Sequence, residues 1–310
     1  MKIVFFGLGS IGQRHVQILR KHFKHELYAF RSGNTAKGNV LGIKEITTWA
    51  DVDRLKPQAA FITNPTSEHM PTALKCARRG MKLFIEKPLS GSLKGVNELT
   101  DLCRKKNLTV YVAYCLRFHP VIQKMKELLK GKKIAHARVV CSSMLHQWRP
   151  ARNLKKSYSA RRAMGGGAIL DLSHEFDYIR FLLGEIQSIK GVKGRMGHVT
   201  VDCEDFADAL VTLDNGAQVN CHLNFASWDT ARTIQIDFKD GFVKGDLIKN
   251  TVVYQTGRSS RSFKFPMDRN AYLKRQTEYF FKNLDNPGLM NNLPEAKALL
   301  RKILEFRNGR

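Results

Sequence analysis

The chain commits itself within its first two dozen residues, where a strand runs directly into three glycines. Lys2 to Phe6 is apolar and strand-like, Gly7-Leu8-Gly9-Ser10-Ile11-Gly12 follows, and from Gln13 to Phe23 the apolar residues Val16, Leu19 and Phe23 fall at helical spacing. A G-x-G-x-x-G set between a strand and a helix is the layout of a nucleotide-phosphate loop. Gly7 permits the tight turn, Gly9 lets a pyrophosphate approach the backbone, and Gly12 lets the helix pack closely on the strand. Ser10 and Ile11 lie in this loop as further cofactor contacts, and the first amides and positive dipole end of the helix that follows suit phosphate.

The second strand, Glu26 to Phe30, ends where the adenosine ribose of a dinucleotide should lie. An NAD site commonly places Asp or Glu there, to accept from the ribose 2′-hydroxyl. This chain has Arg31 and Ser32, the arginine 19 residues after Gly12. A guanidinium and a hydroxyl suit a 2′-phosphate, so the expected cofactor is NADP, with NAD the alternative.

Further on, Ala59 to Thr63 reads as a strand, followed by Asn64-Pro65-Thr66 and a helix from about Ser67 to Arg79 closed by Gly80. Met81 to Pro88 is a strand that must stop at its proline, which leaves Glu86 and Lys87 at the carboxyl end, where open parallel sheets bind ligands. A helix from about Leu93 to Lys106 and a strand from Leu108 to Tyr114 complete the alternation. Strands alternating with helices predict a doubly wound parallel sheet, an N-terminal Rossmann domain over residues 1–119.

Residues 120–310 read differently. A helix near Pro120 to Lys130 leads to a strand at Ala135 to Leu145. Asp205 to Leu213 alternates, turns at Asp214-Asn215-Gly216 and resumes to Phe225, and a second hairpin is expected around Asp240-Gly241. Helices near Asn270 to Leu284 and Pro294 to Arg307 end the chain. The expectation is an α/β domain with a largely antiparallel open sheet.

Within the second pattern lies the most chemically suggestive stretch. Gly165-Gly166-Gly167 predicts a sharp turn or close approach, and the helix after it should carry Asp171 and His174 on one face. An Asp beside a His orients the imidazole and favours its protonated form, as acid/base work near neutral pH requires.

Net charge is +25, which raises the question of nucleic acid. The basic residues are spread along the whole chain, with no arginine-rich tail, zinc-finger spacing or aromatic RNA motif, so no nucleic-acid partner is expected. The six cysteines have no C-x-x-C pair or metal-ligand spacing, and no apolar run is long enough to span a bilayer. These features predict a cytoplasmic, metal-free enzyme with no membrane partner.

In order and spacing, Gly7-x-Gly9-x-x-Gly12, Thr63-Asn64-Pro65 with His69, Glu86-Lys87-Pro88, Arg117-Phe118-x-Pro120 and Gly165-Gly166-Gly167-x-x-x-Asp171-x-x-His174-x-x-Asp177 resemble the signatures of the glucose-fructose oxidoreductase, inositol dehydrogenase and rhizopine-catabolism (Gfo/Idh/MocA) family. The resemblance implies a Rossmann domain followed by an α/β domain whose sheet floors the substrate site and often forms a subunit interface, hence a homo-dimer or tetramer. It implies Lys87 at the nicotinamide ribose and substrate hydroxyl, with Glu86, Thr63, Asn64, Pro65 and His69 around the cofactor. It also implies that Arg117 and Tyr114 bridge cofactor and substrate. His174, steadied by Asp171, is the candidate proton acceptor.

The chain departs from the family in two places. Asp171-Leu172-Ser173-His174 is one residue shorter than the usual Asp-x-x-x-His, which leaves His174 or Glu175 to face the substrate, and Cys115 stands where asparagine is common. The Asp-Leu-Ser-His form resembles members encoded among bacterial surface-sugar biosynthesis enzymes. Arg149, Arg152, Lys155, Lys156, Arg161 and Arg162 fall within fourteen residues, with Trp148 and Tyr158 beside them. Such a segment could bind an anionic group and cover a sugar ring. The expected activity is hydride transfer between nicotinamide and a hydroxyl or ketone of an anionic or nucleotide-linked sugar. The alternatives are a dinucleotide-binding regulator, or transient use of bound cofactor for glycoside cleavage or isomerisation.

Overall fold

A computed structural model describes residues 1–31, 41–148, 157–266, 268 and 270–309, and within them the chain forms two compact units. Ser32, Arg149, Arg152, Lys155 and Lys156, all singled out above, lie outside the described residues.

The first unit comprises Met1–Ala113 with Leu273–Ala298. Its strands are β1 (Lys2–Phe6), β2 (Glu26–Phe30), β3 (Lys44–Ile46), β4 (Ala59–Ile62), β5 (Lys82–Glu86) and β6 (Val110–Ala113), ordered β3-β2-β1-β4-β5-β6. Every neighbouring pair is parallel. β1 lies between β2 and β4, so the order reverses there, and a crevice at the carboxyl ends of β1 and β4 is where such sheets take ligands. The strands are apolar throughout because both faces are covered; Ile3, Val4, Phe5 and all of β4 are buried.

Helices α1 (Ser10–His22), α2 (Trp49–Leu55), α3 (Thr66–Arg78) and α4 (Val96–Lys105) form the crossovers. α1 buries Gly12, His15, Val16, Ile18 and Leu19 and ends in Arg20, Lys21 and His22, which complement its negative dipole end. β3 and α2 were not foreseen, although Thr48 and Asp51 form a full capping box that the sequence displays. The stacked rings of Phe61 and Phe84, 4.4 Å apart, meet Phe280 edge-on, which seats the later segment containing Phe280 in this unit.

The second unit comprises Tyr114–Tyr272 and the chain from Leu299. It contains α5 (Pro120–Leu128), β7 (Ile134–Met144), α6 (Ala168–Asp171), α7 (His174–Leu183), β8 (Ile186–Gly194), β9 (Phe206–Leu213), β10 (Gln218–Asn224), β11 (Ala226–Phe238), β12 (Gly241–Asp246), β13 (Thr251–Thr256) and β14 (Ser259–Lys264). The last helices are α8 (Ala271–Lys282) and α9 (Leu293–Asn308). The sheet runs β14-β13-β12-β11-β7-β10-β9-β8. It is antiparallel except that β7 and β10 pair in parallel. Ala137, Val139 and Cys141 with Val219, Cys221, Leu223, Ile234 and Ile236 are buried on one face, against which α5 and α7 pack. The other face carries Val192 and Leu210, 63% and 44% exposed. All six cysteines are free thiols, and no described helix is long and apolar enough to cross a membrane.

α5 has an N-cap with a pH consequence. His119 is the cap, and its Nδ1 accepts the Val121 N–H at 3.3 Å. Burial, with Arg232 nearby, lowers its pKa from 6.5 to about 4 against an opposing hydrogen bond with Asn250. The unfolded chain therefore binds a proton here before the folded one does. Stability contributed by neutral His119 is complete above about pH 6.5 and is lost as pH falls towards 4, by about 3 kcal/mol at most. Thermal melts of wild type and His119→Asn at pH 7 and 4.5 should show a smaller acid-induced loss in the variant; equal losses would contradict this.

Candidate active site: glycine cradle, strand-end carboxylate and histidine helix

In the first unit the candidate site begins at Gly7. Its φ is +106°, and a Cβ there would lie 2.6 Å from the Asn64 nitrogen. A Cβ on Gly12 would lie 2.3 Å from the Gly7 carbonyl oxygen and 2.8 Å from Thr63 Oγ1. Both glycines are thus required by backbone crowding, and the Thr63 hydroxyl seals the turn by donating to the Gly7 carbonyl at 2.5 Å. Gly9 differs: nothing lies within 4 Å of where its Cβ would be. It is also the N-cap of α1, without a side-chain cap and with no acid in the first turn. The first-turn amides, led by Ser10 and Ile11, have no intrahelical acceptor. An open approach, uncapped amides and a first turn without an acidic residue fit the pyrophosphate of a dinucleotide.

Thr63-Asn64-Pro65 leads from β4 into α3, and His69 ties this loop to the next. His69 is fully buried, with Nδ1 2.9 Å from the Pro88 carbonyl and Nε2 3.0 Å from the Asn64 carbonyl. Burial lowers its pKa, against the two carbonyl contacts, each of which favours a protonated ring nitrogen. Both nitrogens are engaged by protein backbone, so His69 bears on the site through the two loops it joins.

β5 ends at Glu86, as its proline requires, and the Lys87–Pro88 bond is cis. The Glu86 carboxylate is held at both oxygens: Oε1 lies 2.7 Å from His15 Nε2, and Oε2 accepts the Lys87 N–H at 3.2 Å. His15 was missed in the sequence, though it sits three residues after Gly12. It is completely buried, edge-on to Phe84 and Phe61. Glu86 is 8% exposed, and Lys87 beside it is half-buried. Arg31 follows β2 and donates its N–H to the Ile46 carbonyl, with its Nε 3.8 Å from Glu45 Oε1.

In the second unit Asp171 and His174 stand on two short helices, not on the one continuous helix expected. α6 ends at Asp171 and α7 starts at His174, because the turn between them tightens: Ser173 N–H bonds to Leu170 and Glu175 N–H to Leu172, both i to i−3. Asp171 Oδ1 accepts from the Tyr158 hydroxyl at 2.9 Å. The half-buried His174 ring meets the buried Tyr114 ring edge-on at 5.7 Å. Glu175 turns into the interior, fully buried, with Oε1 2.7 Å from Arg232 Nε. Burial pulls the Arg232 pKa down, but the Glu175 charge and hydrogen bond, together with Cys141 and Tyr178, outweigh it and raise the guanidinium pKa.

Two more buried ion pairs brace this region. Arg117 grips Asp177 with two bonds, Nε to Oδ2 at 2.9 Å and Nη2 to Oδ1 at 2.7 Å, and its guanidinium lies over Phe181. Arg307 Nη2 donates to the Gly166 carbonyl at 2.6 Å, while its Nε lies 2.9 Å from Glu204 Oε1. A Cβ on Gly167, whose φ is +110°, would lie 2.2 Å from that Glu204 oxygen. The glycine run thus lets a carboxylate press on the backbone, a partner that no local sequence pattern signals. Trp148 donates its indole N–H to Ser143 Oγ at 2.7 Å and is 38% exposed; Arg161 and Arg162 are exposed.

The cradle, the switch point and the strand-end carboxylate define a Rossmann protein of the dinucleotide-binding class. Comparison with known proteins specifies which. Residues 1–114 match the model described as the oxidoreductase family, NAD-binding Rossmann fold, and residues 122–244 match the GFO/IDH/MocA C-terminal domain. The chain belongs to the Gfo/Idh/MocA oxidoreductase family. It is 24% identical over 272 residues to the rhizopine catabolism protein MocA of Rhizobium meliloti, covering 86% of this chain and 79% of that protein. It is 25% identical over 264 residues to UDP-N-acetylglucosamine 3-dehydrogenase of Acidithiobacillus ferrooxidans, covering 83% and 78%. A solved structure of levoglucosan dehydrogenase in complex with NADH superposes with a TM-score of 0.85 at 17% identity, over 98% of this chain and 96% of that one.

Proposed function

We propose that the protein is an NADP-preferring dehydrogenase acting on a hydroxyl or ketone of an anionic or nucleotide-linked sugar, in bacterial surface-sugar biosynthesis. The observation that carries the reading is Lys87 directly after a carboxylate fixed at both oxygens, at the carboxyl end of β5. The bound nicotinamide supplies the carbon that accepts or gives hydride. The uncapped amides at Gly9, Ser10 and Ile11 hold the pyrophosphate. Glu86 accepts from ribose or carboxamide groups, and Thr63, Asn64 and Pro65 line the nicotinamide side. The Lys87 ammonium stabilises negative charge developing on the substrate oxygen, and His174 takes that oxygen's proton during oxidation. Tyr158 orients Asp171, and Tyr114 and Trp148 contribute rings to the substrate side.

The preference for NADP rests on Arg31, with Ser32 after it, where an acid would favour NAD. A guanidinium in this position, its Nε 3.8 Å from Glu45 Oε1, has the charge and planar fork that suit a 2′-phosphate. The nucleotide-sugar class is supported by the name of the Acidithiobacillus relative and by the net charge of +25. We place the enzyme in the cytoplasm on its six free thiols, and infer a homo-dimer or tetramer through the second sheet, whose open face exposes Val192 and Leu210.

One experiment tests the reading: absorbance at 340 nm with NADP and NAD against a panel of hexoses, hexuronates and UDP-sugars, after native mass spectrometry for retained nucleotide and subunit count. Net reduction with a sugar, faster with NADP, is expected. No net reduction with any sugar would remove the dehydrogenase reading, and equal or better use of NAD would remove the role of Arg31.

A further inference from the structure

Arg232 has a place in the second unit that neither the motifs nor the mechanism above uses. It lies on β11 and shares the helix-covered face with Ile234 and Ile236, opposite Cys141 of β7. Its Nε is fixed at 2.7 Å by Glu175, a carboxylate with no exposed surface, adjacent in sequence to His174. Among the described residues that is the only side-chain hydrogen bond Arg232 makes, and neither Nη is among the buried nitrogens lacking a partner. The side chain is 24% exposed. A guanidinium held by Nε alone therefore presents its two terminal amino groups, in a fixed plane, to whatever enters from solvent.

This is an economical construction for anion recognition. A guanidinium matches carboxylate or phosphate with two parallel N–H bonds, and fixing Nε beforehand removes much of the rotamer entropy such binding costs. A purely structural ion pair would more naturally turn the fork itself to the carboxylate, as Arg117 does with two bonds to Asp177. Glu175 instead has one oxygen bonded and Oε2 buried with no hydrogen-bond partner among the described residues, so the pair is incomplete on both sides. The charge is secure, because the buried carboxylate keeps the arginine protonated.

We propose that the Nη groups of Arg232 bind the carboxylate or phosphate of an anionic substrate, next to the segment that carries His174. The identity of the ligand as a sugar derivative rests on the dehydrogenase reading; the anion site does not.

The test is calorimetric titration of the purified protein at low ionic strength with D-glucuronate, inorganic phosphate and D-glucose. It compares wild type with the double variant Glu175→Gln, Arg232→Gln, which keeps an uncharged hydrogen-bonding pair, and with Arg232→Lys, which keeps the charge and loses the fork. Wild type is expected to bind one equivalent of glucuronate or phosphate saturably. The double variant should bind at least about tenfold more weakly, the value of one charge-assisted bond. Whichever anion binds more tightly identifies the source of the charge, and glucose affinity should be the same in all three proteins. Should the double variant fail to melt cooperatively, Arg232→Lys carries the test, with about a fivefold or greater loss expected for a site that uses two parallel bonds. Binding of neither anion by wild type, or affinity unchanged in the variants, would overturn the proposal. A sugar panel without turnover, alongside anion binding lost in the variants, would sink the dehydrogenase reading and leave this site standing.

Discussion

Lys87→Ala is expected to lower kcat/KM for the sugar substrate by about 100- to 1,000-fold, the loss typical of removing one group that stabilises charge on a reacting oxygen. Nucleotide affinity, measured by fluorescence titration with the reduced cofactor, should stay within about tenfold of wild type, because the phosphates are held by the glycine cradle. Lys87→Met, close in volume, should behave like the alanine variant, since the ammonium carries the effect. Turnover unchanged in either variant would dismiss the role. The fold of the β5 end should survive both changes: Glu86 is held by His15 and by the Lys87 backbone N–H, neither of which depends on the lysine side chain.

Arg117→Leu is expected to destabilise the second unit by about 3–5 kcal/mol, because it leaves the Asp177 carboxylate buried without its cation. The side chains of the pair are 4% and 2% exposed and joined by two charge-assisted bonds, so solvent cannot replace the lost partner. The double replacement Arg117→Leu, Asp177→Leu should recover most of that loss, since an apolar pair removes the desolvation cost along with the attraction. Urea melts of the three proteins measure both effects. A loss below about 1 kcal/mol in the single variant would mean that solvent reaches the site, contrary to the observed burial. Because Asp177 lies on α7, one turn beyond His174, a drop in kcat with the remaining folded protein would connect this brace to the candidate acid/base group.

Much of the architecture is written locally. The strand, glycine loop and helix from Lys2 to His22, the stop at Pro88, and the hairpins at Asp214-Asn215-Gly216 and Asp240-Gly241 all depend on neighbours within a few residues, so periodicity and turn chemistry expose them. The Thr48–Asp51 box that caps α2 is equally local, since its two partners are three residues apart. The tightened turn between Asp171 and His174 is another matter. Helical spacing from Asp171 to His174 is the same whether the backbone bonds run to i−4 or i−3, and only the structure reveals that two helices meet there.

By itself the sequence determined that this is a two-pattern α/β chain, that a dinucleotide loop opens it, and that Glu86 and Lys87 stand at a strand end. Tertiary structure alone decided how those groups are held. His15 reaches Glu86 across 71 residues, Arg117 meets Asp177 across 60, Arg232 meets Glu175 across 57, and Arg307 meets Glu204 across 103. It also decided that β7 and β10 pair in parallel and that Leu273–Ala298 joins the first unit. The physical reason is range. Backbone preference and apolar period act over one or two turns and mark which residues are buried, but a buried charge must find its opposite wherever the topology delivers one. At Glu86, Glu175, Asp177 and Glu204 that partner lies at least 57 residues away, beyond the reach of any local pattern.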